Sequence, residues 1–335
     1  MPAAPPPPSA PQPSAPHHLL IPFAVCSADA WLPTMKALPP DSTRHLSELL
    51  RGMKLLHTDA GDAHTLSPPH ERVLALAQGL MTADTPDGLI PWAARDAAEQ
   101  LQAQGSKAWA WVTPCHWAMG REHATLTDPA ALALREDESR ALLAAMQPYF
   151  ETDGITLHYL RPDRWLAEGE LFRHLPTASL DRVLGRNVDA WLPDASSARQ
   201  MRRLQNEMQM LLYTHPLNDA RTAQRQLPVN SFWLSGTGAL PASYTCAVQN
   251  DISMPRSLAQ AVFNDDWAAY AQAWAALDAG ELAQLLARQR AGETVRLSLC
   301  GERGAQTLES SRTGLFTRIS SLLAPAPLWH GREQL

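Results

Sequence analysis

The chain has 335 residues, of which 45% are hydrophobic and 19% are charged, so it can bury a core in one large domain or two moderate ones. Its formal net charge of −6 argues against nucleic-acid binding over the whole surface, while leaving a local basic cleft open. The four cysteines lie far apart without a CxxC pair, which is typical of buried thiols in a reducing cytoplasm, and no apolar run is long enough to span a membrane. We therefore expect a cytoplasmic protein with neither a nucleic-acid nor a membrane partner.

The N-terminal stretch "MPAAPPPPSAPQPSAP" has neither the basic start nor the apolar core of a signal peptide. Its proline content predicts an extended, disordered arm over residues 1–17. Such an arm serves as a linker, as a docking peptide or simply as a solvated tail.

Strand and helix patterns alternate after the arm, which predicts a layered α/β core. Residues 18–25 form an apolar run typical of a buried strand, and three helices are predicted at 44–56, 68–80 and 96–105.

The pattern changes between residues 106 and 226, where short strands mix with longer helices and predict an inserted α+β domain. Its predicted strands lie at 107–112, 123–127, 155–160 and 164–171, and its helices at 135–150 and 197–214. Helices and strands then alternate again, with a strand at 294–301 and a last helix near 312–323. The predicted architecture is an α/β core made of residues 18–105 and 227–325, split by the insertion at 106–226.

Residues 227–241, "LPVNSFWLSGTGALP", place an apolar strand at Ser231–Leu234 directly before two glycines. Gly236 and Gly238 allow a sharp turn or a close approach to a ligand. A phosphate-binding loop of the dinucleotide type needs a helix right after its glycines, and here Pro241 follows instead. We interpret the turn as a hinge or an edge where the inserted domain rejoins the core.

Cys115, His116 and His123 invite a zinc interpretation, but no second Cys/His pair is evident elsewhere in the chain. The alternative is a tryptophan-rich strand end packed in the core.

A polar segment, "HPLNDAR", precedes the glycine stretch and brings His215, Asn218 and Arg221 at three-residue intervals. These side chains suit a small anion, because the planar fork of arginine matches carboxylate and phosphate groups. The alternative is a polar helix exit in which Asn218 and Asp219 cap the turn.

Together, "HPLNDAR" and "LPVNSFWLSGTGALP" resemble a stretch of the archaeal-type cofactor-independent phosphoglycerate mutases of the alkaline-phosphatase superfamily. In order along the chain, "SPPHERVLALAQGL" is similar to the segment that carries that family's nucleophilic serine, which would be Ser67, and "AWAWVTPCHW" resembles the start of its inserted domain. Over residues 18–320 the chain resembles the RpfE-type regulatory proteins of proteobacteria. This resemblance implies an alkaline-phosphatase-like layered core and a set of ligand-binding residues, namely His215, Asn218, Arg221, Asn230, Gly236 and Gly238.

The same resemblance also draws attention to what is missing. Mutases of that family hold two divalent metals with Asp and His, which activate the serine. The resemblance places the first metal-binding Asp after the first strand, where this chain has Cys26 and Ser27, and an Asp-His pair after a late strand, where it has Glu302 within "CGERG". We therefore expect no metal and no cofactor.

Two interpretations follow. The first is a mutase-like protein without catalysis, which binds a small phosphorylated or carboxylated ligand or a protein partner and acts in regulation. The second is an active mutase or phosphohydrolase with a rebuilt centre, using Ser67 with His64, His70 or the Cys115/His116/His123 group.

Overall fold

A computed structural model describes residues 16–103, 107–193, 198–242, 244 and 251–310. Most of the predicted proline-rich arm and the helix predicted near 312–323 lie outside the described residues, and so does Cys246. Within the described part, none of the helices has the length and apolar character needed to cross a bilayer.

The described residues form strands and helices in a mixed α/β arrangement, which confirms the predicted fold class. The strands are β1 (His17–Ile21), β2 (Met53–Ala60), β3 (Ala108–Cys115), β4 (Trp117–Met119), β5 (Ala124–Leu126), β6 (Thr156–Arg161), β7 (Arg164–Glu168), β8 (Ser231–Ala239), β9 (Ile252–Ser253), β10 (Val295–Cys300) and β11 (Gly304–Ser310). The α-helices are α1 (Trp31–Ala37), α2 (Arg44–Arg51), α3 (Pro69–Ala77), α4 (Trp92–Gln100), α5 (Glu136–Thr152), α6 (Leu180–Val183), α7 (Arg199–Tyr213), α8 (Pro216–Ala223), α9 (Ser257–Phe263), α10 (Trp267–Leu277) and α11 (Ala283–Arg290).

A five-stranded sheet has the order β2-β11-β10-β1-β9. Strand β1 runs parallel to β10 and β9, whereas β11 runs antiparallel to both β10 and β2. Four of the five strands therefore point the same way, and their carboxyl ends meet at one edge of the sheet. This edge is where α/β proteins commonly place ligands.

Helices cover this sheet on both faces. Alternate residues of β1 divide between the two sides, since Leu19 and Ile21 pack with α1, α2, α10 and α11, whereas Leu20 packs with Val73 of α3. Side chains on a strand alternate between faces, which is why a continuous apolar run such as "LLI" belongs to a strand buried on both sides. The finer expectation of an alkaline-phosphatase-like layering stays a prediction.

A four-stranded antiparallel sheet has the order β6-β7-β3-β8. Helices α5 and α7 pack on one face, where Met201, Leu204 and Met208 are buried as the methionine-containing stripe predicted, and α4 packs on the other face. Residues 231–239 thus form a strand of this sheet and α4 packs on it, although the sequence pattern predicted that both belong to the core and not to the insertion. The boundaries of two separate domains stay a prediction.

Three predicted elements end elsewhere. The helix predicted over 44–56 ends at Arg51, because the residues from Met53 onward form β2 and pair with β11. The first strand ends at Ile21, since Phe23 takes a positive φ of 54° that turns the chain. The strand predicted at 231–234 continues through both glycines to Ala239, so the turn expected at Gly236 and Gly238 is wrong.

Candidate functional site

Charged and polar side chains converge at the carboxyl edge of the five-stranded sheet. They come from the ends of β1, β2, β9 and β10, from the start of α3, and from the region of α6, which is more than 100 residues away in the chain. We call this group the carboxyl-edge cluster; its members are Ser27, Asp59, Thr65, Ser67, His70, Glu71, Arg72, Ser179, Asp181, Arg182, Arg186, Arg256 and Glu302.

One part of the cluster is centred on the carboxylate of Asp181. His70 Nε2 lies 2.8 Å from Asp181 Oδ2, and Arg256 reaches both carboxylate oxygens at 2.7 and 2.8 Å. Burial by itself would raise the pKa of Asp181, but the His70 hydrogen bond and the Arg256 guanidinium together hold it well below its usual range. Asp181 is therefore ionised, and its charge is compensated by two partners.

His70 is the most deeply buried ionisable group of the cluster, and Glu71 is its neighbour in the chain. The His70 side chain is 1% exposed, and its Nδ1 is buried without a hydrogen-bond partner among the described residues. Burial raises the pKa of Glu71, whose carboxyl accepts a hydrogen bond from the Ser179 hydroxyl. A raised carboxyl pKa beside a buried imidazole is a feature of functional sites as well as of structural networks.

His70, Glu71 and Asp181 each offer a ligand atom within 4.8 Å of the others, which is the spacing of a metal site. Arg256, however, already contacts both oxygens of Asp181 and lies 3.4 Å from His70 Nε2. A guanidinium in that position repels a divalent cation, because like charges at such distances disfavour each other. The donor set therefore suits the arginine better than a metal ion.

A second part of the cluster surrounds Glu302, in the turn after β10. The backbone N–H and the hydroxyl of Ser27 both donate to its Oε2, the former at 2.8 Å, and Arg186 Nη2 lies 2.6 Å from its Oε1. Burial would raise the pKa of Glu302, but these hydrogen bonds and the Arg186 charge lower it. The two segments that the resemblance aligned with metal ligands thus bind each other.

Arg72, on α3, holds the start of its own helix against β2. Its guanidinium makes an ion pair with Asp59 and donates to the backbone carbonyl of Ser67 at 2.5 Å. The Ser67 side chain is buried, and its Oγ accepts the backbone N–H of Gly88 at 3.2 Å. Ser67 therefore sits at the start of a buried helix next to a cation.

Arg182 is the most deeply buried arginine of the cluster, with 3% of its surface exposed. It donates from Nη1 to the backbone oxygen of Glu302 at 2.7 Å and from Nη2 to Thr65 Oγ1 at 2.6 Å. Its Nε is buried without a partner among the described residues. Burial first, and then the charges of Arg72 and Arg186, lower the pKa of Arg182 to about 10.

The ligand-binding residues expected from "HPLNDAR" lie elsewhere, beside the four-stranded sheet. Arg221 is 1% exposed and donates to Glu138 Oε2 at 2.9 Å, to the Leu227 oxygen at 2.8 Å and to the Leu132 oxygen at 2.5 Å. All three guanidinium nitrogens are thus satisfied internally. The anion-binding role of Arg221 stays a prediction, and its contacts favour the alternative of a structural ion pair.

The other residues of that expected set also make internal contacts. Asn218 bridges the backbone at Leu212 and Val229, and His215 caps the start of α8 by accepting the Leu217 N–H at 3.2 Å. Asn230 exchanges two hydrogen bonds with the Trp117 backbone. Asn218 and Arg221 therefore lie on one short helix, α8, where both are buried against protein, and His215 caps the start of that helix.

The two glycines have a structural reason to be glycine. Gly236 lies in a β-bulge opposite β3 with φ of 62°, and a Cβ there would come 2.9 Å from the Trp111 ring. Gly238 has φ of 137° and passes close to Pro91. Close packing with neighbouring side chains accounts for both positions without a ligand.

The residues that an active enzyme with a rebuilt centre was expected to use lie in different places and do not form one site. His64 is 93% exposed, whereas His70 is buried in the carboxyl-edge cluster. Cys115 is fully buried, burial raises its pKa, and His116 Nδ1 lies 2.9 Å from the Pro228 carbonyl oxygen. Within the described ranges, the Cys115/His116/His123 group does not bring its ligand atoms within metal-binding distance of one another. These contacts favour the packed strand end that was the alternative to zinc.

Sequence reasoning missed most of the cluster. Arg72, Asp181, Arg182, Arg186 and Arg256 were not singled out. The available signal was the polar stretch "SLDRVLGRN" at 179–187, where several charges stand among residues of a short helix. Without the fold, nothing in that stretch indicates that it faces the first and last strands.

Comparison with known proteins adds a distant likeness. No family model and no curated protein matches the chain. A cofactor-independent phosphoglycerate mutase from Thermoplasma acidophilum is similar in structure, with 12% identity, 90% of this chain and 91% of that chain covered, and a TM-score of 0.34. The PH0037 protein from Pyrococcus horikoshii covers 89% of this chain and 88% of its own, with 11% identity and a TM-score of 0.42. At this level the similarity assigns no residue a role.

Proposed function

We propose that this chain is a non-catalytic, ligand-binding regulatory protein of the RpfE type, built on a phosphoglycerate-mutase-like scaffold. The observation that carries the proposal is the state of Glu302, which stands where the resemblance implies metal ligands. Its carboxylate is held by Arg186 and its backbone oxygen by Arg182, so two guanidinium groups are already at that position. Two fixed cations oppose the binding of a divalent metal.

The opposite side of that position supports the same proposal. Ser27 donates to Glu302 instead of presenting a carboxylate, and burial raises the pKa of the neighbouring Cys26 to about 11, so that its thiol stays neutral. A neutral, buried thiol is a poor metal ligand, because the thiolate is the form that binds. The residues present thus replace metal ligation with hydrogen bonds and ion pairs.

The alternative is an active mutase or phosphohydrolase that uses Ser67. The specific observation in its favour is the His70–Asp181 pair, which has the form of a base oriented by a carboxylate. Against it, the Ser67 Oγ accepts the Gly88 N–H, and the His70 Nδ1 has no hydrogen-bond partner among the described residues, so the serine and the histidine are not paired. An active enzyme of this kind would require the serine and the histidine to rearrange.

The test is metal analysis of the purified full-length protein together with a mutase assay on 3-phosphoglycerate, with an active cofactor-independent mutase assayed in parallel. We expect a metal content far below one per chain and no turnover. Two tightly bound metals per chain, with turnover lost on chelation, would contradict the proposal.

A further inference from the structure

We propose that Arg182 anchors a binding site for a small oxyanion, a phosphate or carboxylate group, at the carboxyl edge of the five-stranded sheet. The inference deepens the proposed ligand-binding function and rests on it. It moves the expected ligand from Arg221, which is paired internally, to a different arginine whose contacts leave its charge available.

Arg182 carries a buried charge that no carboxylate within the described ranges contacts directly. Its hydrogen-bond acceptors are a backbone carbonyl and a threonine hydroxyl, and no carboxylate of the described residues lies within ion-pair distance of its guanidinium. The Nε–H has no acceptor in the described part of the chain. A buried charge is costly unless it is paired, so a counter-anion would stabilise this position.

The carboxylates near Arg182 are engaged with other partners. Glu302 accepts from Ser27 and Arg186, and Asp59 is paired with Arg72. Asp87 acts on Arg182 at longer range, but its two oxygens accept the backbone N–H groups of Leu66 and Ser67. None of these groups gives Arg182 the direct contact that Glu138 gives Arg221.

Two other arginines lie near Arg182. Arg72 and Arg186 are close enough to act on Arg182 and help to lower its pKa, after burial. An oxyanion beside Arg182 would relieve this repulsion as well as satisfy the free Nε–H. The planar guanidinium matches the two-oxygen edge of carboxylate or phosphate, so the site selects oxyanions over halides.

The carboxyl-edge cluster is accessible from solvent on one side. The Arg186 side chain is 41% exposed and Ser27 is exposed, so the rim of the cluster next to Glu302 is open to solvent. A ligand entering there would meet Arg186 first and Arg182 behind it. The Ser67 and Ser27 hydroxyls are polar groups of the same cluster.

The experiment is calorimetric titration of the full-length, chelator-treated protein with inorganic phosphate and, separately, with acetate, at constant ionic strength set with chloride. The variants are Arg182→Gln and, as a matched control, Arg288→Gln. Arg288 lies on α11 and is paired with Glu293, which follows that helix. We expect saturable binding of one anion per chain, weakened about ten-fold or more by Arg182→Gln and unchanged by Arg288→Gln. Binding of phosphate alone indicates a phosphorylated ligand, and binding of acetate a carboxylated one.

No saturable binding of either anion to the wild type, or equal affinity of the Arg182 and Arg288 variants, would overturn the inference. If Arg182→Gln fails to fold, Arg186→Gln takes its place, because it removes a half-exposed cation of the same rim; undiminished affinity in that variant would also overturn it. The result is distinguishable from that of the proposed function. If the protein binds no anion but is metal-free and inactive, only the inference about Arg182 is contradicted. Metal-dependent turnover contradicts the proposed function, whether or not an anion binds.

Discussion

The five-stranded and the four-stranded sheet each have a buried arginine beside them, but the two arginines are compensated differently. Next to the four-stranded sheet, Arg221 has the Glu138 carboxylate and two backbone carbonyls, so each nitrogen is satisfied by the protein. At the edge of the five-stranded sheet, Arg182 has two neutral acceptors and one unpaired Nε–H. Arg221 and Arg182 are thus the same residue type and are both buried. They differ in their hydrogen-bond acceptors, because Arg221 has a carboxylate and forms a structural ion pair, whereas Arg182 has none among the described residues and can accept a ligand.

At His18, in the five-stranded sheet, a buried ionisable group avoids an uncompensated charge in a third way. This histidine of β1 is 4% exposed, and its Nε2 lies 2.8 Å from Ser298 Oγ, which in turn lies 2.7 Å from the Thr307 hydroxyl. Burial, with the nearby Arg296 and His17 charges, lowers the pKa of His18 to about 4. The group stays neutral and needs no counter-ion.

The largest expected effect separates the two arginines. Arg221→Ala should lower the free energy of unfolding by about 3–5 kcal/mol, because it removes the 2.9 Å ion pair of the buried Glu138 carboxylate, which then keeps only the Arg135 backbone N–H and the Arg135 guanidinium at 3.5 Å. Arg182→Ala strands no carboxylate in direct contact and should cost about 1–2 kcal/mol for its lost hydrogen bonds. Urea unfolding of both variants measures the difference. Equal losses would break the comparison, and a loss of phosphate binding in the Arg221 variant with unchanged stability would restore the ligand role first expected for it.

The next effect concerns pH. Unfolded His18 binds a proton below about pH 6.5, while the folded residue does so only near pH 4, so in this window the unfolded state binds more protons. The contribution of His18 is fully present above pH 6.5 and is lost as pH falls towards 4, by about 3 kcal/mol. His18→Gln should therefore have a flatter stability profile than the wild type between pH 7 and 4. Parallel profiles would show that His18 is not held neutral.

A smaller effect tests whether Gly236 is required by packing. Gly236→Ala should destabilise the protein by about 2 kcal/mol, because the residue has positive φ and the new methyl group meets Trp111. Gly154→Ala is the matched control, since Gly154 has φ of 72° but nothing within 4 Å of a Cβ, and it should cost about 1 kcal/mol. Thermal melts compare the two. A Gly236 variant as stable as the Gly154 variant would exclude the close approach as the reason for glycine.

The smallest effect is expected at the N-terminus. A chain beginning at His17, the first residue of β1, should melt within about 5 °C of the full-length protein, because residues 1–16 have no apolar periodicity to bury. Differential scanning calorimetry of both chains measures this. A much larger drop would mean that the arm docks on one of the two regions and contributes to its stability.

Local patterns were sufficient for the long elements. The apolar stripe of α7, the acidic start of α5 and the strand at 295–300 are all where their periodicity predicts them. These elements form because one face of each is apolar over several turns or residues. This periodicity is visible within a short stretch of the sequence. The mixed α/β class follows from the same patterns.

Pairing between distant segments decided the rest. Gly52 ends α2, and the residues after it become β2 because β11, about 250 residues later, supplies hydrogen bonds to them. Likewise, β8 continues through two glycines because it pairs with β3 across a bulge. At that bulge, Trp111 and Pro91 lie so close to the backbone of β8 that only glycine fits. A local sequence window contains neither partner.

The sequence by itself determined the mixed α/β class and the helical stripes. Only the tertiary structure decided which charged groups meet. The ion-pair partner of Arg221 is Glu138, 83 residues away, whereas Arg182 donates to the backbone oxygen of Glu302 across 120 residues. The physical reason is that an ion pair depends on distance and burial in space, and both quantities exist only after the two sheets and their helices have packed.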